Sequence, residues 1–200
     1  MIIDLTKPLN PSLVPFASGP YQDPPFNLSE WSSISNEGFR VSRLSMGTQT
    51  GTHMDAPAHF VEGGATLEAV APDDLVGTYF LLDLPAVAQR PSMEASLRAY
   101  RREKILFIRS TEGLRAALSK DLANQILSLP PRVLVLAGTV EVESADPYAF
   151  NRLAARAGKF LVEDLDDSAA LGLSPEGELF ALPLRLCGVA GAPCRVLARI

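Results

Sequence analysis

Short apolar runs that alternate with helix-like stretches are the feature that most limits the fold of this chain. The runs are bounded by Gly, Pro or charged residues, which is typical of strands buried on both faces. Between them, apolar residues recur at spacings of three or four, which predicts amphipathic helices. No linker or break in composition divides the pattern, and 200 residues fit one domain. The sequence therefore predicts a single α/β domain over residues 1–200, built on a mixed sheet.

The predicted elements begin at residue 39 and continue to the end of the chain. Strands are expected at 39–43, where alternation indicates a half-buried strand, and at 78–84, 104–108, 132–137, 160–162, 179–186 and 194–200. Helices are expected at 92–104, 112–129 and 147–157, the last two ended by Pro130 and Gly158. Because proline lacks an N–H group, Pro183 favours an edge or a bent position for the strand at 179–186.

Residues 7–37 are rich in proline and predict a long irregular segment. Structureless loops longer than about 12–15 residues usually work as lids or binding loops. The segment carries four aromatic residues, which either cover a pocket or simply pack on the core. These residues are Phe16, Tyr21, Phe26 and Trp31.

Charge and composition argue against several classes of protein. The chain has 18 basic and 23 acidic residues, whereas a nucleic-acid-binding protein normally shows a basic excess. No apolar run approaches the length of about 20 residues that spans a bilayer, and no basic N-terminal leader is visible. The two cysteines, Cys187 and Cys194, do not make a disulfide framework. We therefore expect a cytoplasmic protein with a small-molecule partner, and neither a nucleic acid nor a membrane.

The chain has only two histidines, His53 and His59, and they lie six residues apart. In an extended segment, residues of the same parity point to the same side, and Gln49 and Asp55 share the parity of both histidines. The segment thus predicts one site with an amide, two imidazoles and a carboxylate. Imidazole and carboxylate are the usual protein ligands of a catalytic divalent metal, and a histidine off the metal can move protons. Alternatively, both histidines are core residues hydrogen-bonded to Asp55 and to the backbone.

The histidine segment also resembles the signature of a known family. Residues 49–59 read Q-T-G-T-H-M-D-A-P-A-H. The cyclase family of metal-dependent hydrolases, which includes bacterial kynurenine formamidases and isatin hydrolases, has the signature H-x-G-T-H-x-D-x-P-x-H, and only the first position differs. Residues 2–9, 75–77 and 181–186 look like other blocks of the family. The resemblance implies a swivelling β/β/α fold and a homodimer or larger oligomer.

The resemblance also implies roles for individual residues. The positions of Gln49, His53 and Asp55 bind a divalent metal in the family, zinc or manganese, and the position of His59 transfers protons. Glu163 fits the position of a ligand to a second metal; alternatively, it is a solvated carboxylate that follows a strand. Gln49 departs from the family because its amide is a neutral, weak donor, so it either binds the metal weakly or orients His53 or Asp55.

A second departure from the family lies upstream of Glu163. The family places a further histidine about eleven or twelve residues before the glutamate, and Asn151 and Arg152 stand there in this chain. Because no third histidine exists, the resemblance does not extend to a complete binuclear zinc site.

Three hypotheses for the function follow from these residues. The first is a hydrolase of a small amide, formamide, lactam or lactone with one weakly held divalent metal, which polarises the carbonyl and supplies hydroxide while His59 protonates the leaving group. The second is a metal-independent cyclase, dehydratase or isomerase of a specialised biosynthesis that uses His53, Asp55 and His59 in acid–base chemistry. The third is a binding or assembly protein that kept the fold without catalysis.

Overall fold

A computed structural model describes residues 1–88, 90–112 and 115–200. The strands are β1 (Ile2–Asp4), β2 (Ala17–Ser18), β3 (Tyr21–Gln22), β4 (Asn27–Ser32), β5 (Val41–Ser45), β6 (His53–Asp55), β7 (Val76–Leu84), β8 (Ile105–Ser110), β9 (Arg115–Leu118), β10 (Val133–Ala137), β11 (Thr139–Val142), β12 (Phe160–Glu163), β13 (Glu178–Pro183) and β14 (Gly191–Arg199). The helices are α1 (Ile34–Glu37), α2 (Arg90–Leu97), α3 (Lys120–Leu127), α4 (Ala149–Arg156) and α5 (Asp167–Leu171), with 3₁₀ turns at Pro57–His59, Leu67–Ala69 and Pro72–Asp74. Within these ranges, no helix has the length and apolar character needed to cross a membrane.

The main sheet has eight strands and closes on itself. Its order is β1-β14-β13-β7-β8-β10-β12-β6, and β6 also pairs with β14. Seven strands therefore form a barrel-like ring, and β1 lies beside β14 outside it. Strands β7, β8, β10 and β12 run parallel, whereas β6 and β13 join their neighbours antiparallel. The predicted α/β class and mixed sheet are confirmed.

The parallel strands are buried on both faces, and each face belongs to a different apolar cluster. In β8, Ile105 and Phe107 pack in the cluster shared by all seven ring strands, which fills the ring. Leu106 and Ile108 pack instead in the cluster that includes α2, α3 and α4. This two-sided burial explains why β7, β8, β10 and β12 read as continuous apolar runs, and it confirms the strands predicted there.

The strand with Pro183 does not lie at an edge, so the edge position, one of the two predicted alternatives, is excluded. β13 is hydrogen-bonded between β7 and β14. However, β7 pairs only with residues 178–180, and Pro183 is the last residue of the strand, opposite Cys194. The proline is tolerated because it stands where the pairing with β7 has already ended.

The helix predicted at 112–129 is wrong in its first half. Residues Arg115–Leu118 form β9, which pairs parallel with β11, and Leu114 lies outside the described residues. Helix α3 begins only after Ser119, whose hydroxyl accepts a hydrogen bond from the Leu122 amide at 3.3 Å. A serine in this position favours a helix start, so the sequence carried a signal for the later boundary.

The other two predicted helices are present with changed ends. α4 lies within the predicted 147–157, and Gly158 follows it with φ of +71°, as expected of a helix-ending glycine. The helix predicted at 92–104 ends earlier, at Leu97. Arg102 adopts a positive φ of 73°, which is incompatible with a continued right-handed helix.

The proline-rich segment is more regular than predicted. β2 and β3 form a tight hairpin, and β4 pairs with β5 to form a two-stranded ribbon. The strand predicted at 39–43 is therefore present as β5, but its residues are all exposed and none is half-buried. The error arises because its alternating pattern matches that of a strand with one face on the core.

Candidate active site

Strand β6 positions His53 and Asp55 at the point where the ring closes. It pairs with β12 on one side and with β14 on the other. Met54 points into the core and is fully buried, so His53 and Asp55 share the opposite face. The register with β12 sets Glu163 directly opposite His53. Three ligand-type side chains therefore meet on two adjacent strands.

The two ring nitrogens of His53 have different surroundings. Nδ1 donates to the Gly51 carbonyl at 2.7 Å, because a carbonyl oxygen can only accept. Nε2 faces two carboxylates, at 3.7 Å from Asp55 Oδ1 and 3.6 Å from Glu163 Oε1. This backbone contact fixes the ring and leaves Nε2 as the nitrogen available to a ligand.

His59 reaches the same carboxylate from outside β6. It ends the 3₁₀ turn Pro57–His59, and its Nε2 lies 3.9 Å from Asp55 Oδ2. Residues 49–59 are extended only in β6, because Gly51 has φ of +65° in a turn and Pro57 starts the 3₁₀ turn. These two bends, and not strand parity alone, bring the histidines together. The alternative of core histidines bonded to Asp55 fits poorly, since neither imidazole is within hydrogen-bond distance of it.

Gln49 also lies at this site, but its oxygen already has a partner. Thr48 donates its hydroxyl to Gln49 Oε1 at 2.6 Å. The amide nitrogen points toward Gly191, where an added Cβ would lie 2.6 Å from Gln49 Nε2 and 3.1 Å from Asp55 Oδ1. A glycine is needed here so that the amide and the carboxylate can lie side by side. The sequence prediction missed Gly191, because the motif at residues 49–59 gives no information about which distant residue packs against it.

Asp55 is a buried carboxylate without a hydrogen bond of ordinary geometry. It is 3% exposed, and neither of its oxygens has such a partner in the described part of the chain. Burial raises the pKa of Asp55 to about 7, and the negative charge of Glu163 adds to the rise, while the charge of His53 and the neighbouring Gln49 amide oppose it. An orphaned buried carboxylate of this kind fits a bound cation.

The histidines respond to the same charges in opposite directions. Burial disfavours the charged form of His53, but the carboxylates of Glu163 and Asp55 outweigh it and raise the pKa to about 9. Burial and repulsion from His53 lower the pKa of His59 below its ordinary value of 6.5. Two imidazoles with separated pKa values can take different proton-transfer roles.

His53, Asp55 and Glu163 form a group that could hold a metal ion. One donor atom from each lies within 4.8 Å of the others. An imidazole and two carboxylates suit a divalent ion such as manganese or zinc. His59 is not part of this group, although it lies at the same site with Gln49, so the structure brings all five predicted residues together.

Asn151 occupies the place where the family resemblance expects a histidine. Its side-chain nitrogen donates to Glu163 Oε2 at 3.0 Å. The neighbouring Arg152 turns away to Asp146, at 2.8 Å, and stacks on the Phe60 ring at 5.3 Å. Asn151 thus fixes the second oxygen of Glu163, a contact that the sequence prediction did not foresee.

The site opens into a cavity of about 630 Å³ with aromatic walls. Phe16 packs edge-on against Tyr148 at 6.2 Å between ring centroids, and Tyr148 lies 6.3 Å from Phe60. Phe16 and Tyr21 therefore line the pocket, as one reading of the proline-rich segment predicted, whereas Phe26 and Trp31 are not among the lining residues.

Sequence comparisons agree with the motif. A family model described as Putative cyclase matches residues 3–165. Kynurenine formamidase of Bacillus cereus is 30% identical, over 98% of this chain and 96% of that protein. Kynurenine formamidase of Erythrobacter litoralis is 28% identical, over 99% and 93%.

Solved structures show the same fold. Isatin hydrolase A from Labrenzia aggregata has a TM-score of 0.81 at 19% identity, over 99% of this chain and 93% of that one. A predicted metal-dependent hydrolase from Bacillus stearothermophilus has a TM-score of 0.68 at 27% identity, over 99% and 97%. These likenesses confirm the fold that the motif implied. Because the family model covers most of the chain and the B. cereus relative aligns over nearly all of it, this chain belongs to the cyclase family.

Proposed function

We propose that this chain is a hydrolase of a small amide, formamide, lactam or lactone that works with one divalent metal. The observation that carries the proposal is the orphaned Asp55 carboxylate, buried between two possible co-ligands, His53 and Glu163, beside an aromatic cavity. The names of its relatives, kynurenine formamidase and isatin hydrolase, support the reaction class.

The proposed ligands are His53, Asp55 and Glu163, with zinc or manganese as the ion. Such an ion would supply Lewis acidity toward a carbonyl oxygen and lower the pKa of water. Gln49 is proposed to act beside the ligands rather than as one of them, because its oxygen accepts from Thr48 and its nitrogen faces Asp55. Asn151 holds Glu163 in place through its 3.0 Å hydrogen bond.

His59 is proposed to move the proton. Its lowered pKa keeps the imidazole neutral near pH 7, so its unprotonated ring nitrogen can accept a proton from the attacking water. The same nitrogen then returns the proton to the leaving nitrogen of the amide. The rings of Phe16, Phe60 and Tyr148 would hold a planar substrate beside it.

A metal-independent acid–base enzyme remains the second candidate. The observation that favours it is the replacement of two metal-associated histidines of the family by the amides of Gln49 and Asn151. Without a metal, the raised pKa keeps His53 protonated at neutral pH, so it could serve as the acid while His59 serves as the base. Such a pair suits a cyclase, dehydratase or isomerase.

Metal analysis of the purified protein separates the two candidates. We expect about one equivalent of divalent ion per chain by elemental mass spectrometry, and loss of formanilide hydrolysis on chelation. Glu163→Gln should lower the metal content, whereas Glu176→Gln, at an exposed carboxylate away from the cavity, should not. A content below about a tenth of an equivalent, with activity that survives the chelator, would refute the metal-dependent reaction.

Gln49→His provides a second discrimination. An imidazole at this position would add a fourth donor beside His53, Asp55 and Glu163, so the hydrolase proposal predicts higher metal affinity in a competition titration. The acid–base alternative predicts slower turnover, since Gln49 would then contact substrate. An unchanged metal affinity would argue against the metal-dependent proposal.

The proposal also includes a homodimer or larger oligomer in the cytoplasm. The β4–β5 ribbon supports it, because a two-stranded ribbon alone is marginally stable in water and this one exposes large apolar side chains. Trp31 is 71% exposed, and Phe39 and Leu44 are more than half exposed. Sedimentation analysis of the wild type should show an oligomer that Trp31→Ser weakens; a monomeric wild type would exclude this part of the proposal.

A further inference from the structure

The charged side chains that line the cavity are strongly biased toward acids. Four carboxylates line it, from Asp23, Glu163, Asp164 and Asp167. No lysine or arginine lines it among the described residues, and its only basic side chains are the two histidines. A bound divalent ion would balance the negative charges of Asp55 and Glu163. The other carboxylates at the opening of the cavity, which we call its mouth, therefore determine which substrate charge is favoured there.

Of these remaining acids, Asp164 and Asp167 are already engaged. Asp164 pairs with Lys7. Asp167 Oδ1 accepts the Gly138 amide at 2.9 Å. Asp23 is different, because no basic side chain of the described chain forms an ion pair with it, and its carboxylate accepts a hydrogen bond from the Tyr21 hydroxyl at 2.6 Å.

The β2–β3 hairpin fixes where Asp23 lies. Gly19 has φ of +58° in its turn, a conformation that favours glycine. The ladder continues past the strands, since the Asp23 amide donates to the Phe16 carbonyl at 2.9 Å. Phe16 and Asp23 therefore stand side by side at the mouth, a ring next to a carboxylate. The Asp23 charge also adds to the raised pKa of Asp55 and offsets part of the fall in the pKa of His59, as expected of a carboxylate near the site.

An aromatic ring next to an uncompensated carboxylate is a binding place for an organic cation. An ammonium group gains from the faces of aromatic rings and from the opposite charge, and an anion is repelled. Arg152 stacks on Phe60 at 5.3 Å, but it is committed to Asp146 at 2.8 Å and does not line the cavity. Among the described residues that line the cavity, only the two histidines could therefore offer a counter-charge to a carboxylate-bearing substrate.

We propose that Asp23 determines specificity, and that the substrate is an aryl amide bearing an ammonium group and no carboxylate. The inference rests on the proposed hydrolase function and narrows its substrate class. The reacting amide lies at His53, Asp55 and Glu163, while the ammonium group lies at the mouth between Asp23 and the Phe16 ring.

Charge-matched formanilides test the preference. Three substrates with 2-aminoethyl, 2-hydroxyethyl or carboxymethyl groups in the para position differ mainly in charge. On the metal-loaded enzyme, we expect kcat/KM to fall in that order, with the amine at least about tenfold above the acid, and the ratio to shrink with added salt. Equal rates, or a preference for the acid, would overturn the inference.

Asp23→Asn attributes the preference to one side chain. The substitution keeps the shape of the side chain and removes its charge, so we expect the amine-to-acid ratio to fall about tenfold. Asp121→Asn, at an exposed carboxylate of α3 that does not line the cavity, should leave the ratio unchanged. A ratio that persists in Asp23→Asn would remove Asp23 as the specificity residue.

Binding measurements keep this inference separate from the reaction. By calorimetry, phenethylamine should bind the holoprotein about fivefold or more tightly than 2-phenylethanol, and Asp23→Asn should abolish the difference. If no formanilide is cleaved but this difference is found, the hydrolase proposal fails and the cation site stands. If formanilides are cleaved and the difference is absent, the cation site fails and the hydrolase stands.

Discussion

Asp55 combines burial, negative charge and the lack of a hydrogen bond in one side chain. Because its folded-state pKa is raised from 3.8 to about 7, the folded protein holds this proton more tightly than the unfolded chain does. In the metal-free protein, its contribution to the free energy of unfolding is therefore most favourable below about pH 4 and declines until about pH 7.

Asp55→Asn should remove that decline. The amide keeps the size of the side chain without its charge, so we expect metal-free Asp55→Asn to be about 1–3 kcal/mol more stable than metal-free wild type at pH 8. At pH 4 the two proteins should differ little. Urea unfolding at both pH values measures this, and a variant less stable than wild type at pH 8 would contradict the proposed cost of the Asp55 charge.

His59→Ala tests the residue proposed to move the proton. We expect kcat to fall about 10²–10⁴-fold, the usual contribution of a general acid–base group. Since the neutral imidazole is the active form and its pKa is lowered, wild-type kcat/KM should rise with pH below 6.5 and be flat near pH 7. In His59→Ala, kcat/KM should no longer rise with pH below 6.5.

The metal content of His59→Ala serves as its control. His59 does not belong to the donor group, so the content should stay at the wild-type value. Loss of the metal would mean that His59 is a ligand, and an unchanged kcat would exclude it from the proton transfer.

At the scale of elements, Arg109 connects β8 to the short helix α5. Its Nη1 donates to the carbonyls of Ala170, Leu171 and Leu173 at 3.0–3.2 Å, where the helix ends. Nε and Nη2 bind Asp83 at 2.6 and 2.9 Å. One guanidinium thus satisfies carbonyls that a helix end leaves without partners, and it holds α5, which brings Asp167 to the cavity.

Arg109→Met should lower the free energy of unfolding by about 2–4 kcal/mol, because these carbonyls lose their donor in a buried place. Asp83→Asn is the matched comparison. The Asp83 side chain is 48% exposed, so its loss should change stability by less than about 1 kcal/mol. Urea denaturation of both variants measures the difference, and equal effects would show that the carbonyl contacts contribute little.

Element by element, the sequence was most informative where burial is two-sided. The parallel strands were predictable because both faces need apolar residues, which leaves an unbroken run. β9 was not predictable, because Ala116 and Leu118 have the spacing of a strand while Leu118 and Leu122 have the spacing of a helix. The pairing of β9 with β11 favours the strand, and that contact lies outside the local sequence. The same holds at the site. The motif located His53, Asp55 and His59, and family position suggested Glu163, whereas Gly191 and Asn151 enter through contacts across the fold.

At the scale of the whole molecule, strand β6, with its three residues His53–Asp55, both closes the ring and carries the site. β6 joins β12 to β14, and it also carries His53 and Asp55. Gly191 lies opposite Asp55 in the register with β14. A distortion of β6 where it pairs with β14 should therefore change global stability and metal binding together. The aromatic wall of the cavity is built from other elements.

Gly191→Ala tests this coupling. The added Cβ would lie 2.9 Å from the Met54 carbonyl oxygen, and backbone there can yield only if β6 shifts. We expect a loss of about 1–3 kcal/mol in the free energy of unfolding, as for other overpacked sites, together with weaker metal binding in a competition titration. Gly172→Ala is the control, because its Cβ would meet only the Ala169 carbonyl oxygen at an ordinary 3.8 Å. If Gly191→Ala matches this control in both measurements, closure of the ring and the geometry of the site are independent.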